Sequence, residues 1–158
     1  MTEERIVDPR SAVFHKRLKP VKRVLVVASG KGGVGKSTCA TTGALLAASR
    51  GARVGLLDLD LHGASTHTFL GIEPTLPGEE SGILPLQGPK GIHYMSVAPF
   101  SGESGLALRG TAVSEAIQEL CAVTIWPELD LLFVDMPPGI GDEILDLLRF
   151  FPSYSLLL

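Results

Sequence analysis

The chain has 158 residues, a length typical of one domain, and 45% of them are hydrophobic, which is enough apolar material for a packed core. The formal net charge of -3 argues against binding to nucleic acid or to a membrane surface through overall charge, and no run of about 20 apolar residues predicts a membrane span. The N-terminus lacks a signal-peptide pattern, and Cys39 and Cys121 form no Cys-x-x-Cys pair. We therefore expect a cytoplasmic protein without a disulfide framework.

The first 20 residues are polar and partly basic. Basic residues outnumber acidic ones between Arg5 and Arg23. This composition favours a solvated arm, and a docking segment for a partner is the alternative. We therefore divide the chain into an N-terminal arm over residues 1–20 and a domain over residues 21–158.

Predicted strands and helices alternate through the rest of the chain. Residues 22–28 are a β-branched run that predicts a buried strand, and residues 36–50, rich in alanine and leucine and followed by Gly51, predict a helix. Further elements are predicted as strands over 53–58, 92–97, 129–135 and 153–158, helices over 111–123 and 142–150, and a Pro- and Gly-rich surface loop over 71–91. This order predicts an α/β fold of three layers, in which helices cover both faces of a mostly parallel sheet.

A glycine-rich motif joins the first predicted strand to the first predicted helix. Gly30-Lys31-Gly32-Gly33-Val34-Gly35-Lys36-Ser37 fits the P-loop pattern G-x-x-x-x-G-K-[ST]. Glycines let the backbone curve so that N–H groups converge on phosphate, Lys36 adds positive charge, and the Ser37 hydroxyl suits Mg²⁺. The start of the helix adds its positive dipole end. The motif therefore predicts an ATP and Mg²⁺ site, with adenine not distinguished from guanine, formed by Gly30, Lys31, Gly32, Gly33, Val34, Gly35, Lys36, Ser37 and Thr38.

The P-loop contains a second lysine, Lys31, directly after its first glycine. An ordinary P-loop does not require this residue, because Lys36 already serves the bound phosphates. Lys31 could instead reach a nucleotide held by a facing subunit and act there as an arginine finger does. The alternative is an exposed loop lysine without a catalytic part. We predict catalytic roles for both lysines.

Two predicted strands end in carboxylates. Asp135 ends the strand over 129–135, and we expect it to act on Mg²⁺ through a metal-bound water. Asp58 and Asp60 lie at the end of the strand over 53–58, at the carboxyl edge where open α/β sheets bind ligands. We assign Asp60 to orient the attacking water, with a capping aspartate as the alternative. Asp58 is assigned to the Mg²⁺ shell with Ser37 and Asp135, and His62 is expected to be an exposed loop residue.

The order of these motifs resembles that of the deviant Walker A ATPases, the class that contains MinD, ParA and the nitrogenase iron protein. Within that class, the P-loop, the Asp58-Leu59-Asp60 segment and Asp135-Met136-Pro137-Pro138-Gly139 are most similar to the Mrp/ApbC group, which is associated with iron–sulfur cluster carriage and assembly. The resemblance covers roughly residues 20–158. It implies a homodimer with ATP at the interface, Lys31 acting across it, and a client apo-protein or assembly factor as partner.

Three departures from the family pattern affect these expectations. Ala64 stands where proline is common. Ile140 stands where threonine is common and removes a hydroxyl from the second switch, so we expect hydrolysis to be slow or differently gated. The Cys-x-x-Cys that holds the cluster in Mrp-like carriers has no counterpart here, and Cys39 and Cys121 are expected to be buried small hydrophobic residues. A cluster would therefore depend on residues beyond Leu158, where the apolar final strand also leads us to expect more of the domain.

Three functions remain open. The motifs favour a Mg²⁺-dependent ATPase of the Mrp/ApbC type involved in iron–sulfur cluster carriage or assembly. The alternative is a MinD/ParA-like positioning ATPase, a nucleotide-switched dimer on membrane or DNA, although nothing in the sequence indicates a membrane or nucleic-acid partner. The third is a module that senses nucleotide without hydrolysing it.

Overall fold

The computed structural model describes residues 9–61, 63–73, 75, 82–101, 111–139 and 141–158. Helices and strands alternate along most of these residues. In chain order the elements are α1 Pro9–Arg17, β1 Val24–Val27, α2 Lys36–Ser49, β2 Val54–Asp58, α3 Thr66–Leu70, β3 Leu86–Gln87, β4 His93–Ser96, α4 Thr111–Val123, β5 Leu131–Asp135, α5 Asp142–Phe150 and β6 Ser155–Leu157.

The described strands form one sheet in the order β3-β4-β2-β5-β1-β6. Neighbouring strands are parallel except at one edge, where β3 runs antiparallel to β4. The register places Val27 and Asp58 on either side of Asp135, so the three central strands end level with one another. The segments that follow these strands therefore leave the sheet at one edge.

Side chains of the central strands alternate between two buried clusters. Val26 and Val134 belong to one cluster, together with residues of α1, α4 and α5. Val27 and Phe133 belong to the other, together with residues of α2 and α3. Helices therefore cover both faces of the sheet, and the predicted α/β fold of three layers is confirmed.

Gly43 allows α2 to approach the sheet closely. A Cβ atom at this position would lie 2.8 Å from Cε1 of Phe133, which is closer than real Cβ contacts allow. Glycine inside a helix is ordinarily unfavourable, so this contact gives it a packing reason. The close approach of α2 also places the end of the P-loop, because Lys36 and Ser37 are the first residues of α2.

The N-terminal segment differs from the predicted solvated arm over the residues that the structure describes. Pro9–Arg17 forms α1, and Phe14 within it is fully buried. The Phe14 ring stacks on Phe150 with 5.0 Å between centroids and meets Phe151 edge-on at 5.1 Å. The prediction was wrong here because two apolar core residues among basic ones, Phe14 and Leu18, are too few to give a periodic pattern. β3 likewise lies inside the predicted surface loop, as an edge strand of only two residues.

Replacing Phe14 with alanine is expected to lower the free energy of unfolding by about 3–5 kcal/mol, because it leaves a cavity between α1 and α5. The matched control is Val13→Ala in the same helix, where the side chain is 45% exposed. The control is expected to change stability by about 0.5 kcal/mol or less. Urea unfolding followed by circular dichroism measures both. Equal midpoints for the two variants would show that α1 does not contribute to the core.

The two cysteines lie in different environments. Cys121 is buried in the core, as predicted. Cys39 is exposed, and the prediction of burial was wrong, because the buried face of α2 runs through Ala40 and Ala44 instead. In the described part of the chain, no helix is both long and apolar enough to cross a membrane.

Candidate functional site

A cleft of about 360 Å³ opens at the edge of the sheet where β1, β2 and β5 end. Its walls come from the P-loop, the start of α2, the segment between β2 and the end of α3, and one residue after β5. The lining residues are Ser29, Lys31, Gly32, Gly33, Gly35, Lys36, Ser37, Thr38, Asp60, Gly63, Ser65, Phe69 and Pro138. The topology therefore brings the P-loop and Asp60 into one cavity, although they are distant in the sequence.

Two glycines of the P-loop adopt backbone conformations that other residues rarely adopt. Gly33 and Gly35 have φ angles of 76° and 94°, in the left-handed region that side chains with a Cβ rarely occupy. The Ser29 hydroxyl donates to the carbonyl oxygen of Lys31 at 2.9 Å and holds the beginning of the loop. Gly35 then ends the loop at the start of α2, whose positive dipole end faces the cleft.

Lys36 is the central cation of the site. Its Nζ atom donates to Oδ1 of Asp135 at 2.6 Å and lies 3.9 Å from Oδ2 of Asp60. The side chain is only 6% exposed, so the ammonium group is held among carboxylates and largely away from water. Desolvation raises the pKa of Asp135, and hydrogen bonds from Lys36 and Ser37 act in the opposite direction.

Asp60 reaches the same cleft from the loop after β2. Its Oδ1 atom accepts the backbone N–H of Gly63 at 3.0 Å. Its Oδ2 atom is the one that faces Lys36. The structure therefore places Asp60 and Asp135 on the same ammonium group, as their predicted positions at neighbouring strand ends suggested.

Asp58, which was predicted to support the Mg²⁺ shell, does not line the cleft. It is fully buried, and its two oxygens accept hydrogen bonds from the loop after β2 and from the first residue of α3. Oδ1 accepts the backbone N–H of Asp60 at 3.0 Å, and Oδ2 accepts the hydroxyl of Thr66 at 2.5 Å and its N–H at 3.3 Å. Burial raises the pKa of Asp58, and these hydrogen bonds lower it. The carboxylate thus shapes the loop and does not line the cleft, and its assignment to the Mg²⁺ shell stays a prediction.

Two residues of the predicted nucleotide site are not among those that line the cleft. These are Gly30 and Val34, and the Val34 side chain is 61% exposed. His62 and Ile140 lie outside the described residues, so the expectations about them remain predictions. Phe69 was not predicted as a site residue. It lines the cleft, and more than half of its surface is exposed. Its helix, α3, has five residues and was not predicted, although Gly71 marks its end with a φ of 64°.

The residues present fit a magnesium nucleotide. The glycine conformations leave room for phosphate beside the loop, and Lys36 and the start of α2 supply positive potential. Ser37 offers a hydroxyl oxygen beside Lys36. The Oδ2 atom of Asp135 is buried and accepts no hydrogen bond from the part of the chain that the structure describes. An orphaned carboxylate oxygen is suited to a water of a Mg²⁺ shell, because Mg²⁺ is commonly held by one or two protein oxygens, water and phosphates.

Comparison with known proteins places this site in a family. The family model for ParA, described as NUBPL iron-transfer P-loop NTPase, matches residues 20–158. The iron-sulfur cluster carrier protein of Methanocaldococcus jannaschii is 36% identical over 153 residues, which are 95% of this chain and 53% of that protein. The iron-sulfur cluster carrier protein of Escherichia coli K12 is 40% identical over 135 residues, which are 84% of this chain and 36% of that protein. The chain therefore spans about half of the first relative and about a third of the second.

A solved structure shares both the fold and part of the sequence. The nucleotide-binding protein of Archaeoglobus fulgidus, solved in complex with ADP, superposes with a TM-score of 0.72 at 33% identity. The match covers 89% of this chain and 54% of that protein. These relatives confirm the resemblance to the Mrp/ApbC group. The chain belongs to the ParA family of NUBPL iron-transfer P-loop NTPases.

Proposed function

We propose that the chain binds ATP with Mg²⁺ and hydrolyses it slowly, as the nucleotide-driven part of an iron–sulfur cluster carrier of the Mrp/ApbC type. The observation that carries the proposal is the convergence of Lys36, Asp135 and Asp60 in one cleft walled by the P-loop. A purely structural ion pair would not require glycines in the left-handed region beside it. The cytoplasm remains the compartment that the sequence predicts.

Each group in the cleft has a proposed part in binding. The backbone of residues 30–38 and Lys36 hold the phosphates, and Ser37 supplies a direct oxygen ligand to Mg²⁺. Asp135 contacts the metal through water, using the oxygen that has no partner in the described chain. The metal supplies charge neutralisation at the phosphates when it is bound.

Asp60 is the proposed catalytic carboxylate. Its backbone is fixed by Asp58 and its Oδ1 atom by Gly63, so Oδ2 is the oxygen that faces the cleft beside Lys36. From there it can accept a hydrogen bond from the attacking water and orient it for displacement at the terminal phosphate. Because positioning supplies most of the catalysis in phosphoryl transfer, a fixed acceptor is what the reaction requires.

Lys31 is proposed to act on the nucleotide of a second copy of the chain. Its side chain is exposed and lines the mouth of the cleft, whereas Lys36 is buried at its base. A cation at the mouth can enter a facing site in a homodimer and stabilise charge that develops there during phosphoryl transfer. This arrangement makes each site depend on both copies.

Mixing two inactive variants tests the dimer and the hydrolysis together. Lys31→Ala and Asp60→Asn are each expected to lower the rate of phosphate release by at least about 10²-fold. In a mixed dimer, the Lys31→Ala copy keeps its own Asp60 and receives an intact Lys31 from the Asp60→Asn copy, so its site is active. The site of the Asp60→Asn copy lacks both groups and is inactive. An equal mixture is therefore expected to regain about a quarter of the parent activity, since half of the dimers are mixed and each has one working site.

The outcomes of this mixing experiment are distinct. If Lys31 acts on its own nucleotide, both sites of the mixed dimer are inactive and the mixture stays at the level of the separate variants. If the parent chain binds ATP but releases phosphate only at background rate, the nucleotide-sensing alternative replaces the ATPase. Titration of a fluorescent ATP analogue with and without Mg²⁺ supplies the binding measurement.

The cluster is cargo in this proposal, and the cysteines of this chain are poorly suited to hold it. Burial raises the pKa of the Cys121 thiol, and a cluster ligand must be a thiolate. Cys39 is exposed on α2, apart from the buried position of Cys121. We therefore propose that Cys39 and Cys121 do not form the cluster site.

A further inference from the structure

A series of buried hydrogen bonds runs from β4 to the loop after β2. Tyr94 of β4, Thr66 at the start of α3 and Asp58 at the end of β2 are all fully buried. The Tyr94 hydroxyl lies 3.0 Å from Oγ1 of Thr66, and Oγ1 of Thr66 lies 2.5 Å from Oδ2 of Asp58. None of the three lines the cleft.

Proton counting gives this series a direction. The Asp58 carboxylate accepts, so Thr66 donates its single hydroxyl proton to it. Oγ1 of Thr66 can then only accept from Tyr94, whose hydroxyl donates to it. The other oxygen of Asp58 accepts the backbone N–H of Asp60 at 3.0 Å. The hydrogen bonds therefore run from Tyr94 through Thr66 and Asp58 to the backbone of Asp60.

This series of hydrogen bonds ends at Asp60, the residue whose carboxylate faces Lys36. We propose that Tyr94 and Thr66 are positioning residues for Asp60. They hold Asp58, and Asp58 in turn sets where the Asp60 carboxylate lies in the cleft. Neither Tyr94 nor Thr66 contacts the nucleotide. This inference rests on the proposed ATP hydrolysis. The Asp60 backbone can shift when Asp58 rotates, and Thr66 prevents that rotation by holding Oδ2 with both its hydroxyl and its N–H.

The polar identity of these two side chains needs an explanation beyond packing. Valine at position 66 and phenylalanine at position 94 would fill nearly the same volumes. A buried hydroxyl is costly unless it is hydrogen-bonded, and here Tyr94 is bonded to Thr66 and Thr66 to the buried Asp58 carboxylate. What the hydroxyls add is a fixed orientation of the Asp58 carboxylate.

The test compares Thr66→Val and Tyr94→Phe with Thr66→Ser, which keeps the hydroxyl. The matched control is Thr124→Val, because Thr124 is equally buried and its hydroxyl donates to the carbonyl oxygen of Leu120 at 2.6 Å, away from the cleft. Thr66→Val is expected to lower kcat by about 10-fold and Tyr94→Phe by about threefold, with KM for ATP unchanged. Thr66→Ser is expected to restore kcat, and Thr124→Val to lower thermal stability but not kcat.

Hydrogen exchange of the peptide that covers residues 58–66 provides a readout that does not depend on turnover. Thr66→Val and Tyr94→Phe are expected to speed exchange in this peptide, and Thr124→Val is not. Parent-like kcat and exchange in both variants would overturn the inference, as would equal losses of kcat in Thr66→Val and Thr124→Val. If the parent chain itself does not hydrolyse ATP, the proposed function fails and the exchange measurement alone decides whether the series of hydrogen bonds holds the loop.

Discussion

Replacing Lys36 with methionine is expected to weaken ATP binding strongly. The ammonium group is buried among the carboxylates of Asp135 and Asp60, so its loss removes the main positive charge of the cleft. Truncating one partner of a buried charged contact costs about 2–5 kcal/mol, which corresponds to roughly a 30-fold to 3,000-fold rise in Kd. Titration of a fluorescent ATP analogue in the presence of Mg²⁺ measures the change.

The same substitution leaves Asp135 without its cation, so a loss of binding must be separated from a loss of folding. Breaking a buried ion pair on one side costs about 3–5 kcal/mol of stability. The double variant Lys36→Met with Asp135→Asn removes the uncompensated charge and is expected to recover much of the stability, but not the binding. Thermal unfolding beside each titration distinguishes the two effects.

A matched lysine elsewhere serves as the control. Lys22 forms an ion pair of similar length with Asp130, 2.8 Å from Nζ to Oδ1, but its side chain is 67% exposed. Exposed pairs contribute about 0–1 kcal/mol, so Lys22→Met is expected to leave both stability and ATP binding nearly unchanged. A folded Lys36→Met variant that binds ATP with parent affinity would contradict the proposed site.

The part of the site that could be predicted from sequence is the part set by chain order. The P-loop is a local motif, and Asp60 and Asp135 follow strands of a parallel sheet, whose carboxyl ends meet at one edge. Those facts alone predict that the groups lie near one another. The 3.9 Å and 2.6 Å distances to Lys36 agree with that expectation, although the catalytic and metal roles themselves stay predictions.

The part that could not be predicted depends on contacts between distant residues. The sequence places Asp58 at the carboxyl edge of the sheet, and that position led to its assignment to the Mg²⁺ shell. Its real neighbours, Thr66 and the Asp60 backbone, follow from how the loop folds back, and Thr66 is in turn joined to Tyr94 of another strand. The burial of Phe14 similarly depends on Phe150, at the other end of the chain. Neither partner can be found by periodicity.

Asp60→Asn is expected to separate binding from turnover. Asparagine has nearly the shape of aspartate, and its amide oxygen can still accept the N–H of Gly63, so the loop keeps its conformation. Lys36 and the P-loop are untouched, and ATP affinity is expected to stay within about threefold of the parent, a change of less than 1 kcal/mol. Turnover is expected to fall by about 10²-fold to 10⁴-fold, because the amide nitrogen that takes the place of Oδ2 is a donor and cannot accept a hydrogen bond from the attacking water to orient it.

Phosphate release under saturating ATP, measured beside the binding titration, tests this separation. Asp146→Asn is the matched control: its carboxylate pairs with Arg149 on the exposed face of α5, and neither binding nor turnover is expected to change. Parent-like turnover in Asp60→Asn would leave Asp60 as a capping residue of its loop, which is the alternative that the sequence left open. A loss of binding as large as that of Lys36→Met would instead assign Asp60 to the nucleotide or its metal. Binding without turnover is the result that a catalytic carboxylate requires, because only an interaction made in the transition state changes kcat alone.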